Sequence, residues 1–294
     1  MNQNDGHPGR NSLASPEGMG NIAMPYRFAH WLVLMLIVLT VPAFWRSYLS
    51  DLSSSRIELH VHGVTASIWM ALLAIQSWSI HSHHRRLHRI LGKASFVLFP
   101  FFLVGFGLVE VSWARNLIDG TSEFHNEYGA RFGAIDLVAF FGTAYFYYQA
   151  LRTRRNVELH AGYMIVTVVF LIGPVVQRLL PLVLDMVTGS QVEWSMSNHV
   201  RFGIVFTLLL LWAVGHWSAG NTRPLRDAAL LTSGQLLLWE TLGVWSWWTS
   251  VYTGLGAGNP LAIGTVAFLF GIALILAGWR EELFGRRGGT GTTA

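Results

Sequence analysis

The sequence predicts an all-α, polytopic transmembrane helix bundle of about eight spans, an expectation that rests on its sparse charge and on the grouping of its apolar residues. Of 294 residues, 52% are hydrophobic and only 12% charged, about half the 25% charged fraction usual in soluble domains. Mean hydropathy is +0.41. Eight runs approach or pass the roughly 20 apolar residues that carry a helix across a bilayer. Such a composition excludes a soluble enzyme and a disordered chain, and the absence of cysteine excludes a disulfide scaffold.

Residues 1–24 are rich in Asn, Gly, Ser and Pro without an apolar core, and read as a disordered cytoplasmic tail rather than a signal peptide. The spans follow at approximately Pro25 to Tyr48, Ile57 to Ile80, Ile90 to Trp113, Phe132 to Leu151, Leu159 to Leu182, Asn198 to Trp217, Ala228 to Tyr252 and Leu261 to Trp279. Together they form one membrane domain over 25–280, with a short basic tail over 281–294. The seventh run is interrupted by Gln235 and Glu240.

Charge sets the orientation. Of 20 Lys and Arg residues, Arg46, Arg56, Arg115, Arg131 and Arg201 fall in outer segments, Arg178 falls within a span, and the other 14 fall in inner segments if both termini are cytoplasmic. Basic residues concentrate on the cytoplasmic side of membrane proteins, so this bias predicts a plasma (inner) membrane protein with both ends inside. Membrane lipid is the expected partner. Nucleic acid is not, despite the net charge of +4, because the basic residues sit in short clusters between apolar runs. Eleven of the 13 tryptophans fall near span ends, as an interfacial belt requires, while Trp69 and Trp239 lie deep.

The second span carries most of the chemistry. His62, Trp69, Gln76 and His83 are seven apart, a step that drifts only about 20° around a helix, and Thr65 and Ser79 share their face. A polar face is costly in lipid, so it should point into the bundle, either at a site or as a seam of interhelical hydrogen bonds. Beyond His7, eleven histidines fall in an outer and an inner layer. Histidine ligates haem and metals. A haem held by two imidazoles could use His62 with His199, or His83 with His160 or His30; His88 is a further cofactor-binding candidate. His81-x-x-His84-x-x-x-His88 would present three metal ligands on one face if the helix continued. The competing reading is a cationic hairpin among lipid phosphates, since Arg85, Arg86 and Arg89 interleave with those histidines.

Ionisable residues inside spans are expensive unless partnered. Asp136 and Arg178 are expected to approach each other, and Glu240, near the middle of the seventh run, reads as a proton-handling carboxyl. Gly173, Pro174 and Pro181 should break the fifth span near Gln177 and Arg178. No Walker loop, GxGxxG, HExxH or Gly-x-Ser-x-Gly occurs.

His62, Trp69 and Gln76, followed by Leu87-His88-Arg89-Ile90-Leu91-Gly92 and later by Arg154-Arg155 with Leu159-His160-Ala161-Gly162-Tyr163-Met164, resemble an uncharacterised family of bacterial multi-pass membrane proteins. Its members share a His/Trp/Gln span, a His-Arg-x-x-Gly hairpin and a basic loop leading into a His/Met span. The likeness covers roughly residues 57 to 182. It implies a shared helical core with His62, Gln76, His88, Arg89, Gly92, His160 and Met164 at its motif positions, and it carries no assigned activity. Gly162 departs from the pattern, standing where arginine is common.

Three functions remain open on these residues. The first is a histidine-ligated haem or transition-metal redox protein. The second is a proton-coupled small-solute transporter using Gln76, Asp136, Arg178 and Glu240. The third is an assembly factor whose polar core is purely structural.

Overall fold

The computed structural model describes residues 26–120, 122–189, 195–218 and 220–285, with side chains up to Arg280. The tail expected over 1–24 lies outside these residues, as does the C-terminal one beyond Gly285. All regular structure among the described residues is helical: α1 (Ala29–Trp45), α2 (Ile57–His81), α3 (Arg85–Ile118), α4 (Glu123–Arg152), α5 (Val157–Val166), α6 (Val169–Thr188), α7 (Met196–Trp217), α8 (Arg223–Glu240), α9 (Ser246–Ala257) and α10 (Pro260–Gly285). Two short 3-10 turns lie at Leu49–Ser54 and Leu242–Val244.

Five helical stretches are long and apolar enough to cross a membrane: α2, α3, α5 with α6, α7 and α10. Large apolar side chains, among them Val38, Val97, Leu209, Trp212, Leu261 and Val266, are exposed around the bundle. A soluble protein rarely leaves so much apolar surface bare, and the pattern is compatible with a multi-pass membrane protein.

The hub is α4, which is not among those five. It touches α3, α5, α8, α9 and α10, and it buries Gly129, Ala130, Gly133, Ala134, Ala139, Gly142, Ala144 and Ala150. A helix enclosed by protein needs small residues that admit close neighbours rather than apolar bulk for lipid. On one side of α4, Trp69 of α2 is fully buried. Its indole stacks on Phe102 (centroids 5.6 Å apart), meets Tyr147 edge-on (5.3 Å) and donates Nε1–H to Thr167 Oγ1 (3.0 Å).

Two expected spans are built differently. The fifth breaks at Thr167 and Val168, ahead of both prolines, which sit inside α6. The Thr167 hydroxyl bonds back to Met164 O (2.7 Å) while holding Trp69, and the amides of Thr167 and Val168 reach only three residues back. A tertiary contact thus tightens the turn where the prolines alone do not. The seventh run, expected from Ala228 to Tyr252, ends as a helix at Glu240, and the chain turns before the short α9. That turn packs Gly243 against the Arg131 backbone, where a Cβ would lie 2.8 Å from Arg131 Cα.

Helix α9 is pinned by aromatics. Trp248 donates Nε1–H to Ala130 O (2.7 Å), and Tyr252 is buried against α4. A Cβ on Gly133 would clash with the Tyr252 ring. Gly133→Ala is therefore expected to displace Tyr252 at a cost of about 1–3 kcal/mol, the usual price of overpacking. Thermal unfolding in detergent measures it; an unchanged midpoint would mean that α9 does not seat as described.

Candidate functional site

The most chemically unusual place in the bundle is where α3, α4 and α9 meet. Glu110 of α3 is buried, and its carboxyl lies close enough to that of Asp136 on α4 for the two to interact electrostatically. Tyr252 of α9 donates its hydroxyl to Glu110 Oε2 (3.0 Å). Glu110 Oε1 is sealed from solvent with no N–H or O–H donor. Two carboxyls this close repel each other when both are ionised, and a proton shared between them would supply the donor that Glu110 Oε1 lacks.

Arg178 of α6 supplies the nearby positive charge. Its guanidinium interacts electrostatically with Asp136, as the sequence predicts. Its direct partners are others: NH1 donates to Pro174 O (3.1 Å), and the group lies over the Phe44 ring at 4.4 Å. Asp136 thus stands between a second carboxyl and a cation, the usual way to keep an acid in a low-dielectric interior.

Beside Asp136 lies a cavity of about 30 Å³, lined by Gln177, Thr207, Thr232 and Gln235 among others. That admits one or two waters, since a single water needs about 10–15 Å³; it is far below the roughly 300 Å³ of a small-molecule site. Gln235 donates to Ile135 O (3.1 Å), and Thr232 Oγ1 is sealed without a partner. One wall is the crossing of α6 and α7, where a Cβ on Gly203 would lie 2.6 Å from Gly173 O. Farther along α8, Asp227 accepts from Tyr145 (3.0 Å) and Tyr163 (2.6 Å), and Gln149 donates to Tyr145 (2.9 Å).

Glu240 is not a buried proton carrier. It ends α8 with its side chain 39% exposed and pairs with Arg201, whose NH2 donates to Oε2 at 2.8 Å. The expectation failed because the seventh run breaks after Glu240 rather than continuing through it. An exposed pair of this kind is worth about 0–1 kcal/mol. Glu240→Gln is expected to leave proton handling unchanged and barely shift the unfolding midpoint; a large loss of proton flux in that variant would restore the original reading.

The polar stripe of α2 faces inward for three of its four members. His62 packs edge-on against Phe106 (4.9 Å) with Nδ1 sealed and unpartnered, Trp69 is enclosed, and Gln76 is buried with Oε1 unpartnered. His83 leaves the stripe because α2 ends at His81 and the chain turns through His83 in a left-handed conformation (φ 62°). The same break separates the proposed metal ligands. His81 donates Nδ1–H to Ser77 O (2.6 Å), His84 stacks on Trp78 (5.1 Å), and His88 donates to Gln76 O (3.3 Å). No group of three His, Asp or Glu suited to a metal forms among the described residues.

Of the proposed haem pairs, His62 and His199 sit on helices with different neighbours: α2 packs on α1 and α3, and α7 on α6 and α8. His83 is exposed in its turn while His160 donates to Ala150 O (2.8 Å). His30 lies near His81, ring centroids 6.2 Å apart. Three of the motif positions, Gln76, His88 and Gly92, fall close together at the hairpin. Gln76 contacts His88 through its carbonyl, and its side chain faces Gly92, while Met164 packs into the core. Arg89 is exposed.

Comparison with family models, with curated proteins and with solved structures finds no match for this chain.

Asp136 and Arg178 stand out in the sequence, whereas Glu110, Tyr252 and Asp227 do not. The expected third span stops at Trp113, three residues past Glu110, whereas α3 continues to Ile118 and encloses it. Tyr252 carries no signal of its own, because only the fold-back of α9 brings it to Glu110.

Proposed function

We propose that this protein is a proton-coupled membrane transporter whose proton is held by the Glu110–Asp136 pair. The observation that carries this reading is the close approach of the two carboxyls. A proton shared by two acids next to a buried arginine can be released when either partner moves, and buried acids in membrane proteins commonly serve as proton relays. The small cavity fits water and a closed site. The glycine crossing of α6 with α7 and the broken α5–α6 passage supply the places where such a site would open, as discontinuous helices do in transporters. Asp227 with Tyr145 and Tyr163 marks the opposite end of a polar route along α8.

The topology that goes with this reading has eight passes, made by α1, α2, α3, α4, α5 with α6, α7, α8 and α10, with α9 capping the outer side and both termini cytoplasmic. The outer arginines fit it because their charges are largely answered. Arg56 pairs with Asp119 (3.0 Å), Arg115 with Glu58 (3.4 Å) and Arg201 with Glu240, while Arg131 lies over Trp239 at 5.6 Å.

A pH jump across proteoliposomes, read as charge displacement, tests the proposal without knowledge of the solute. A protein-dependent transient is expected; a signal equal to that of empty vesicles would overturn the reading. One observation favours a histidine-held haem or metal instead. His88 and His160 each turn Nδ1 to a backbone carbonyl and interact electrostatically, and a ligating histidine is oriented in that way, with Nε2 left to the metal. An absorption spectrum with elemental analysis separates the two readings.

A further inference from the structure

A second cavity lies at the opposite end of α2 from His62, between the start of α1 and the α2–α3 hairpin. It measures about 600 Å³ and is lined by Arg27, His30, Trp31, His81, His83 and Arg85, with Phe28 and Ile80. The volume falls within the roughly 300–1,000 Å³ of small-molecule sites. Its chemistry is one-sided: among the described residues, two guanidinium groups and three imidazoles line it, and no carboxylate does.

The positions of these groups come from the fold. Arg27 lies over the Phe28 ring at 4.8 Å, which holds its charge at the rim. His30 lies beside Trp31 with the rings tilted and their centroids 5.3 Å apart, and its Nδ1 is sealed from solvent without a hydrogen-bond partner. His83 reaches the cavity through its left-handed turn, a conformation that a non-glycine residue adopts only when its surroundings impose it. Phe28 and Trp31 are about 60% exposed, as aromatics are at a membrane interface. Both Arg27 and Arg85 lie in segments that the charge bias assigns to the cytoplasmic side.

We propose that this cavity binds the phosphate headgroup of an anionic phospholipid, with Arg27 and Arg85 pairing to the phosphate, the His30 ring adding a hydrogen bond, and Phe28 and Trp31 lying along the glycerol and first methylenes. A free phosphate shares the charge but has no use for the exposed aromatic rim, which favours the lipid.

The test uses purified, delipidated full-length protein in a neutral detergent, titrated with dioleoylphosphatidylglycerol, dioleoylphosphatidylcholine or inorganic phosphate and read by native mass spectrometry. An arginine near an anionic surface contributes roughly fivefold in affinity, so the two together predict a preference for phosphatidylglycerol over phosphatidylcholine of about 25-fold. Arg27→Gln with Arg85→Gln should bring that preference down to near parity. Arg86→Gln with Lys93→Gln, both exposed on the same hairpin but outside the cavity, should preserve it. Should the glutamine pair fail to fold, Arg27→Lys with Arg85→Lys keeps the charge and should retain the preference. Equal binding of the two lipids, or an equal loss in the Arg86/Lys93 control, would overturn the site. Displacement of the bound lipid by equimolar inorganic phosphate would overturn the lipid assignment in favour of a soluble anion.

Discussion

Asp136→Asn is expected to reduce the pH-jump charge displacement by at least about a hundredfold, the lower end of what a positioned proton-transfer group contributes. The asparagine keeps the volume and can still hydrogen-bond Glu110, so folding should survive while the shared proton is lost. Glu110→Gln should do the same, and the double variant should be no worse than either single one, because the two carboxyls act as a unit. A double variant that lost the product of the two single effects would mean that the carboxyls work independently. Near-normal displacement in Asp136→Asn would remove Asp136 from the proton path.

The largest expected effect on stability is at Trp69. Truncation to alanine empties a fully enclosed site among Phe99, Phe102 and Tyr147 and leaves Thr167 without its indole donor. Large-to-small changes of this kind cost about 3–5 kcal/mol. Trp69→Phe restores most of the packing but not the hydrogen bond, which within a membrane averages about 0.6 kcal/mol, so it should lie much nearer the parent. Unfolding in detergent, followed for both variants, checks the order. A Trp69→Ala cost below about 1 kcal/mol would mean that the aromatic cluster does not hold α2, α3, α4 and α5 together.

The helical bundle was legible because membrane composition is a bulk property: apolar runs of span length need only counting, and most expected boundaries lie within a few residues of the helices. Trp69 was legible as well, since a tryptophan away from span ends needs a buried partner, and it donates its indole to Thr167; Trp239 is buried against Ser197, but it stands beside Glu240 at the end of α8 rather than deep in a span. Trp248, expected at the interface, is buried with a carbonyl for the same chemical reason. What could not be read was chain reversal. The turn after Glu240 depends on Gly243 fitting against the Arg131 backbone, a contact between residues far apart in sequence. Missing that turn moved Glu240 into the membrane on paper and hid Tyr252. The histidine spacing failed likewise: His81, His84 and His88 share a helical face only if the helix continues, and α2 ends at His81 while α3 begins at Arg85.

Proton-coupled transport by this protein requires one proton held between Glu110 and Asp136. Infrared difference spectroscopy of the membrane-reconstituted protein measures it directly through the stretching band of a protonated carboxyl and its shift on exchange into heavy water. Such a band is expected in the parent protein, altered or lost in both Asp136→Asn and Glu110→Gln and unchanged in Glu240→Gln. A parent protein without the band, or a band indifferent to both substitutions, would contradict the shared proton.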